Sequence, residues 1–292
     1  MKVTQTPDAP DAGLPSVFPP RPSRPAPLPR VQPVPPAVAG TAPRGAGGLA
    51  RDRMRLWSQY GARYRSAMAE AAAVLSGAGR AVERPSGLDE RVGARADLAA
   101  LRLYLAEEWA WAEPALLDGG LGAHLPLTRC AAAGVRRLPP HRGAAIVRTE
   151  VPERVADWFM DRAVVVDHGL WSAMVSTAAL GAGGPGYAVW SLTGRLMGDI
   201  DPYTPDRLVF RPGTRFKVLD VRGGLQPLVL LREMSPGEPD RPGAGGDTHG
   251  EWLDTTTMAE LRTALEQSSA LTPTGFQGPR ARPPGLIEGL SQ

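Results

Sequence analysis

The sequence predicts an α+β fold flanked by extended tails. Three observations carry this. Apolar residues recur at three- and four-residue spacing through the first half of the folded region. Short apolar, partly β-branched runs punctuated by Gly, Pro and Asp follow in the second half. Pro and Gly crowd both ends of the chain. Helices first and strands after argue against alternating βαβ units with a parallel sheet.

Residues 1–47 form a Pro/Ala/Arg segment without periodicity, too poor in apolar surface to offset its ordering entropy, and are expected to be disordered. PxxP spacings such as Pro22-Ser23-Arg24-Pro25 suit an extended tether. Residues 48–94 are expected to hold a helix and a linker. Met54, Trp57, Tyr60, Tyr64, Met68, Ala71 and Leu75 mark the helix, Gly61 weakens its middle, Gly77-Ala78-Gly79 stops it, and 80–95 reads as a loop. A domain of about residues 95–270 follows. It opens with a helix from Ala96 to about Trp111, with Leu98, Leu101, Leu105 and Trp109 on one face, and a second from Pro126 to Val135. Strands are expected at Ala144–Arg148, Val164–Val166, Trp171–Val175, Tyr187–Leu192, Arg207–Phe210, Arg215–Val221 and Leu228–Arg232, with a tight turn at Pro212-Gly213. Residues 235–250 read as a loop, Trp252–Leu271 contains a last helix, and 271–292 form a flexible Pro/Gly-rich tail.

Bulk properties narrow the function. The chain has 292 residues, a net charge of +3 and a sequence pI near 9.3. The excess of base sits in the first 55 residues, so this is a basic tail on a near-neutral globule, not a nucleic-acid-binding domain. Lys2 and Lys217 are the only lysines. With the abundant Ala, Gly and Pro they suggest a GC-rich coding sequence such as an actinobacterial one. Cys130 is the only cysteine and excludes an intramolecular disulfide. His124, His141, His168 and His249 lack metal-ligand spacing, so no metal is expected. No apolar run approaches the roughly 20 residues of a membrane span, and no signal-peptide core is present. The expected location is cytoplasmic, with signal-less secretion as the other route.

Most familiar catalytic motifs are missing: no GxSxG, Walker A, HExxH or CxxC occurs. Gly181-Ala182-Gly183-Gly184-Pro185-Gly186 matches GxGxxG literally, but a strand-like run follows it where a dinucleotide fold needs a helix. Glu107-Glu108 cannot face one another on a helix, and Asp247-Thr248-His249-Gly250-Glu251 reads as a solvated loop.

Two stretches are more informative: Leu138-Pro139-Pro140-His141-Arg142-Gly143 ahead of an apolar strand, and Asp206-Arg207-Leu208-Val209-Phe210-Arg211-Pro212-Gly213-Thr214-Arg215-Phe216-Lys217-Val218-Leu219. Between them lie Leu170-Trp171-Ser172-Ala173 and Ser191-Leu192-Thr193-Gly194-Arg195. The ordered series from about Leu101 to Val221 resembles the arginine–serine–glutamate branch of the ADP-ribosyltransferase family. The resemblance implies a split β-sheet core preceded by helices, and NAD as substrate. It carries a pyrophosphate-binding arginine followed by glycine onto Arg142 and Gly143, and a ribose-orienting serine onto Ser172. Trp171 and Trp190 are the aromatic rings to test for stacking on nicotinamide. Guanidinium forks suit pyrophosphate, and a carboxylate stabilises the oxocarbenium character that develops as the glycosidic bond breaks.

The pattern breaks at the carboxylate. With Leu208-Val209-Phe210 on the family's apolar triplet, the catalytic glutamate position is Arg207 and its companion is Pro205. Asp206 is adjacent, but a one-residue shift on a strand turns a side chain to the other face. Ser176-Thr177 falls later than the family's serine motif. Three readings follow. The first is a degenerate transferase domain acting as a binding or regulatory module with NAD or a protein partner. The second is an active mono-ADP-ribosyltransferase, effector- or toxin-like, using Asp206. The third is an unrelated scaffold whose proline-rich arm recruits partners.

Overall fold

The computed structural model describes residues 29–33, 46–76, 87–108, 122–175, 184–198, 200–240, 248–269 and 282–287. Helix α1 spans Ala46–Ser76 and is broken at Gly61, where φ is 49° and ψ −115°. Its halves therefore do not share one continuous phase. Leu56, Tyr64, Ala67 and Ala71 are buried, whereas Met54 and Trp57, expected on the same stripe, are exposed.

Helix α2 runs Leu88–Leu103 and continues as a π turn, Tyr104–Glu108. It begins inside the stretch read as a loop, and the domain boundary expected at residue 95 cuts through it. The overlooked signal is Asp89 and Glu90 in the first turn, where the helix dipole favours acidic groups. Trp109 and Trp111 lie outside the described residues. Helix α3, Leu125–Arg136, starts with Pro at N1/N2. Its Ala131-Ala132-Ala133-Gly134 run lets it approach α2 closely: a Cβ on Gly134 would meet the Asp97 carbonyl oxygen at 2.5 Å.

The carboxylate of Asp97, fully buried, ties the three helices. It accepts 2.9 and 2.8 Å hydrogen bonds from Arg53 on α1 and 3.3 Å bonds from Arg137 just after α3. Helix α1 thus belongs to the same body as the rest and not to a separate leading segment.

The strands are β1 (Arg30–Val31), β2 (Gly143–Arg148), β3 (Val164–Asp167), β4 (Trp171–Met174), β5 (Pro185–Ser191), β6 (Arg195–Leu196), β7 (Arg207–Phe210), β8 (Thr214–Arg222), β9 (Leu228–Glu233) and β10 (Leu286–Ile287). Helix α4, Glu153–Met160, carries the Trp158-Phe159 pair between β2 and β3, and α5 spans Thr248–Ser269. The expected strands between residues 143 and 233 all form, and α4, β6, β1 and β10 are additions.

One eight-stranded mixed sheet has the order β3-β8-β9-β5-β2-β4-β7-β6. It is split. Strands β2 and β4 meet at the single pair Ile146↔Met174, and β2 otherwise pairs with β5 over most of its length. The inner faces of the two halves share one core: Ala145, Val147, Tyr187, Val189, Phe216 and Leu231 from one half, with Trp171, Ala173, Leu208 and Phe210 from the other. On the outer side, α5 covers Ile146, Ala188 and Leu230 through Leu261 and Leu265. The helical layer α1–α3 covers Val209.

Two stretches expected to be unstructured join this body. Strands β1 and β10 pair with one another, and Leu286 enters the core between the half-sheets. No helix among the described residues is long and apolar enough to cross a membrane.

Candidate active site

Arg142 stands immediately before β2. It is exposed, and its side chain has no hydrogen-bond or ion-pair partner among the described residues. The chain turns sharply there: Gly143 has φ 150°, and a Cβ on it would lie 3.1 Å from His141 Nε2. Glycine after the arginine is thus a backbone requirement. The His141 N–H donates to Gly194 O at 2.7 Å, and Ser191 Oγ donates to His141 O at 3.0 Å, pinning the segment. Burial lowers the His141 pKa.

Ser172 lies on β4, half-buried, opposite Val209. The ladder Ser172↔Val209↔Arg195↔Pro140 connects it to the segment before Arg142. Three strand steps are roughly 14 Å along the ladder, and Arg142 is two residues beyond Pro140. Among the described residues no hydrogen bond joins the two side chains.

Trp171 does not line a cleft. It is 1% exposed, its ring stacks on Phe210 at 5.3 Å and meets Phe216 and Tyr187 edge-on, and its Nε1 donates to Arg282 O. Strand alternation explains the outcome: Ser172 faces outward, so its neighbour must face the core. Trp190 is half-buried on the outer face, opposite Ala144.

Arg207 opens β7 opposite Met174, itself opposite Ile146, so Ile146, Met174 and Arg207 form one row across three strands. The Arg207 side chain is 10% exposed and pairs with Asp201 at 3.3 Å, while its Nε has no hydrogen-bond partner among the described residues. Burial lowers its pKa, and the charge of Asp201 opposes that effect. Asp201 also accepts a hydrogen bond from Thr204.

A pocket of about 240 Å³ opens beside this pair, lined by Arg102, Leu105, Ile200, Tyr203 and Thr204 among others. Asp206, one residue earlier, is exposed in the turn before β7, and its backbone carbonyl accepts from Val175 N at 2.9 Å. Its carboxylate has no partner among the described residues. Ser176 and Thr177 lie outside those residues.

Asp201, the ion-pair partner of Arg207, was not singled out in the sequence. Its signal was present, an aspartate six positions before an arginine destined for burial. Glu233 was missed too. It is 3% exposed and accepts hydrogen bonds from Leu192 N at 2.7 Å, Thr193 N at 2.8 Å and Thr193 Oγ1 at 2.5 Å, which fixes the turn after β5. Among the described residues no His, Cys, Asp and Glu cluster could hold a metal ion.

No family model and no curated protein matches this chain. Among solved structures it is similar to the type III effector XopAI from Xanthomonas axonopodis pv. citri, at 14% identity over 66% of this chain and 85% of that one, with a TM-score of 0.49. It is also similar to Exoenzyme S from Pseudomonas aeruginosa, at 17% identity over 71% and 98%, TM-score 0.49. A third is the ADP-ribosyltransferase HopU1 of Pseudomonas syringae pv. Tomato DC3000, at 10% identity over 48% and 77%, TM-score 0.41.

Proposed function

We propose that this chain is an ADP-ribosyltransferase-like domain that no longer transfers ADP-ribose and acts as a binding or regulatory module. One observation carries the reading. At the position to which the resemblance assigns the catalytic carboxylate, the structure has Arg207, buried and paired with Asp201. A fixed cation there opposes the positive charge that develops at the sugar and favours an anion instead. Arg142 keeps a free guanidinium suited to a pyrophosphate or another acidic group. The ligand in this reading is NAD or an acidic partner, met in the cytoplasm or after signal-less secretion.

The test is nicotinamide release from NAD by the full chain, with NAD binding measured calorimetrically in parallel. The expected result is no release, and binding weakened by Arg142→Ala. A second reading rests on Asp206, whose exposed carboxylate is unengaged beside Arg207. Release that disappears in Asp206→Ala would overturn the first reading in favour of an active enzyme.

A further inference from the structure

A second pocket, of about 320 Å³, lies at the opposite end of β7 from Asp206, between the last turn of α3, the Pro212-Gly213 turn and the end of β9. Three arginines line it from three elements: Arg136 from α3, Arg211 after β7 and Arg215 on β8. We propose that this pocket binds the phosphoryl group, single or paired, of a small phosphorylated molecule.

The charge balance points that way. The side chains of Arg136 and Arg211 have no hydrogen-bond or ion-pair partner among the described residues, and the Arg211 Nε is buried as well as unpartnered. Arg215 donates to Glu238 O at 2.7 Å and pairs with Asp240, which is 69% exposed and well screened, so it adds positive charge more than a free fork. The carboxylate in the lining, Glu233, is engaged by the N–H groups of Leu192 and Thr193 and by the Thr193 hydroxyl.

Three of the backbone donors nearby are also committed. Gly213 N donates to Asp167 O, Thr214 N to Arg211 O, and Ser235 N to Glu238 Oε2. An anion in this pocket would consequently meet the forks of Arg136 and Arg211 ahead of those three amides. That combination favours bidentate recognition of phosphate oxygens. The volume is at the small end of ligand sites, which fits a compact phosphorylated group.

The test is calorimetric titration of the full chain with inorganic pyrophosphate and, separately, adenosine diphosphate, at low and physiological salt. Arg211→Gln and Arg136→Gln are compared with Arg222→Gln, whose exposed side chain pairs with Asp220 outside this pocket. Arg136 is exposed, so its substitution reports binding even where Arg211→Gln unfolds the protein. The expected result is saturable binding that salt weakens and that each pocket substitution weakens about tenfold, with Arg222→Gln unchanged. Equal affinity for the two ligands would mean that the phosphoryl groups alone are read, and tighter adenosine diphosphate binding would mean that the nucleoside adds contacts. Absence of saturable binding, or equal weakening in all three variants, would overturn the proposal.

Discussion

Arg282 grips the fully buried carboxylate of Asp167 with both terminal guanidinium nitrogens, across 115 residues of sequence. The same carboxylate accepts from Gln32 Nε2 at 3.1 Å, Gly285 N at 3.0 Å and Gly169 N at 2.9 Å. One side chain at the end of β3 therefore clasps both terminal segments to the sheet. Arg282→Met should leave that carboxylate without its cation and cost about 3–5 kcal/mol, read as a fall in the urea midpoint. The double variant Asp167→Leu with Arg282→Met should recover part of the loss, because it removes both charges. A single variant as stable as wild type would show that the clasp contributes nothing.

The clasp also sets a pH dependence. Burial alone would raise the Asp167 pKa, but Arg282 and the two glycine N–H groups outweigh it and hold the carboxyl below the ordinary range. A depressed folded pKa contributes stability above the unfolded value, and that stability is lost as pH falls through the folded one. Stability should drop steeply below about pH 3.9, and Asp167→Asn should flatten that limb of the curve.

Histidine acts in a higher window by the same rule. Burial lowers the pKa of His141 and of His168, with the Asp167 charge opposing the shift at His168. Their unfolded forms bind protons more readily, so stability should decline as pH falls below the ordinary value of 6.5. Urea midpoints at several pH values between neutral and mildly acidic should show that decline in wild type. They should show a shallower slope in the His141→Gln, His168→Gln double variant, and an unchanged slope would remove both histidines from the account.

How far the sequence revealed this molecule depended on the range of the signal. Strand β7 was legible because Leu208-Val209-Phe210 is a short apolar run and Pro212-Gly213 marks its end. The helical layer was legible from three- and four-residue spacing, except that the break at Gly61 turned Met54 and Trp57 outward. The start of α2 was hidden because its first two turns lack an apolar stripe. The clasp was illegible, since nothing near Asp167 in sequence announces Gln32 or Arg282. At the site, Arg142, Gly143 and Arg207 were singled out by local pattern alone, and the proposed replacement of a carboxylate by Arg207 rests on that same pattern. The strand ladder that connects Ser172 to the segment before Arg142 was not legible, because it runs through β6 and β7, which a one-dimensional pattern does not contain.

Glycine positions give a prediction about packing. Gly134→Ala would push a Cβ to 2.5 Å from the Asp97 carbonyl oxygen, backbone that cannot yield without separating α2 from α3. The expected cost is about 2–3 kcal/mol of overpacking, despite alanine's better helix propensity. Gly143→Ala meets a different obstacle, the φ of 150° together with the His141 ring, and should cost about 1–3 kcal/mol. Thermal melts of both variants check this, and a gain in stability at Gly134 would mean that the helices have room to part.

The Arg207–Asp201 pair gives a prediction about a buried charge. Asp201→Asn would leave the buried guanidinium without its anion. The expected loss is about 2–3 kcal/mol, below the full range for a buried pair because the Asp201 side chain retains 15% exposure. Arg207→Met, similar in length and free of charge, should cost less, since the space beside Leu105 and Ile200 is partly apolar. Arg207→Glu should be the worst of the three, because it sets two carboxylates together and one must take up a proton. Its stability should therefore rise as pH is lowered toward 5, opposite to the wild-type trend. If Arg207→Glu is instead as stable as wild type at neutral pH, the position readily accepts a carboxylate and is not committed to the ion pair.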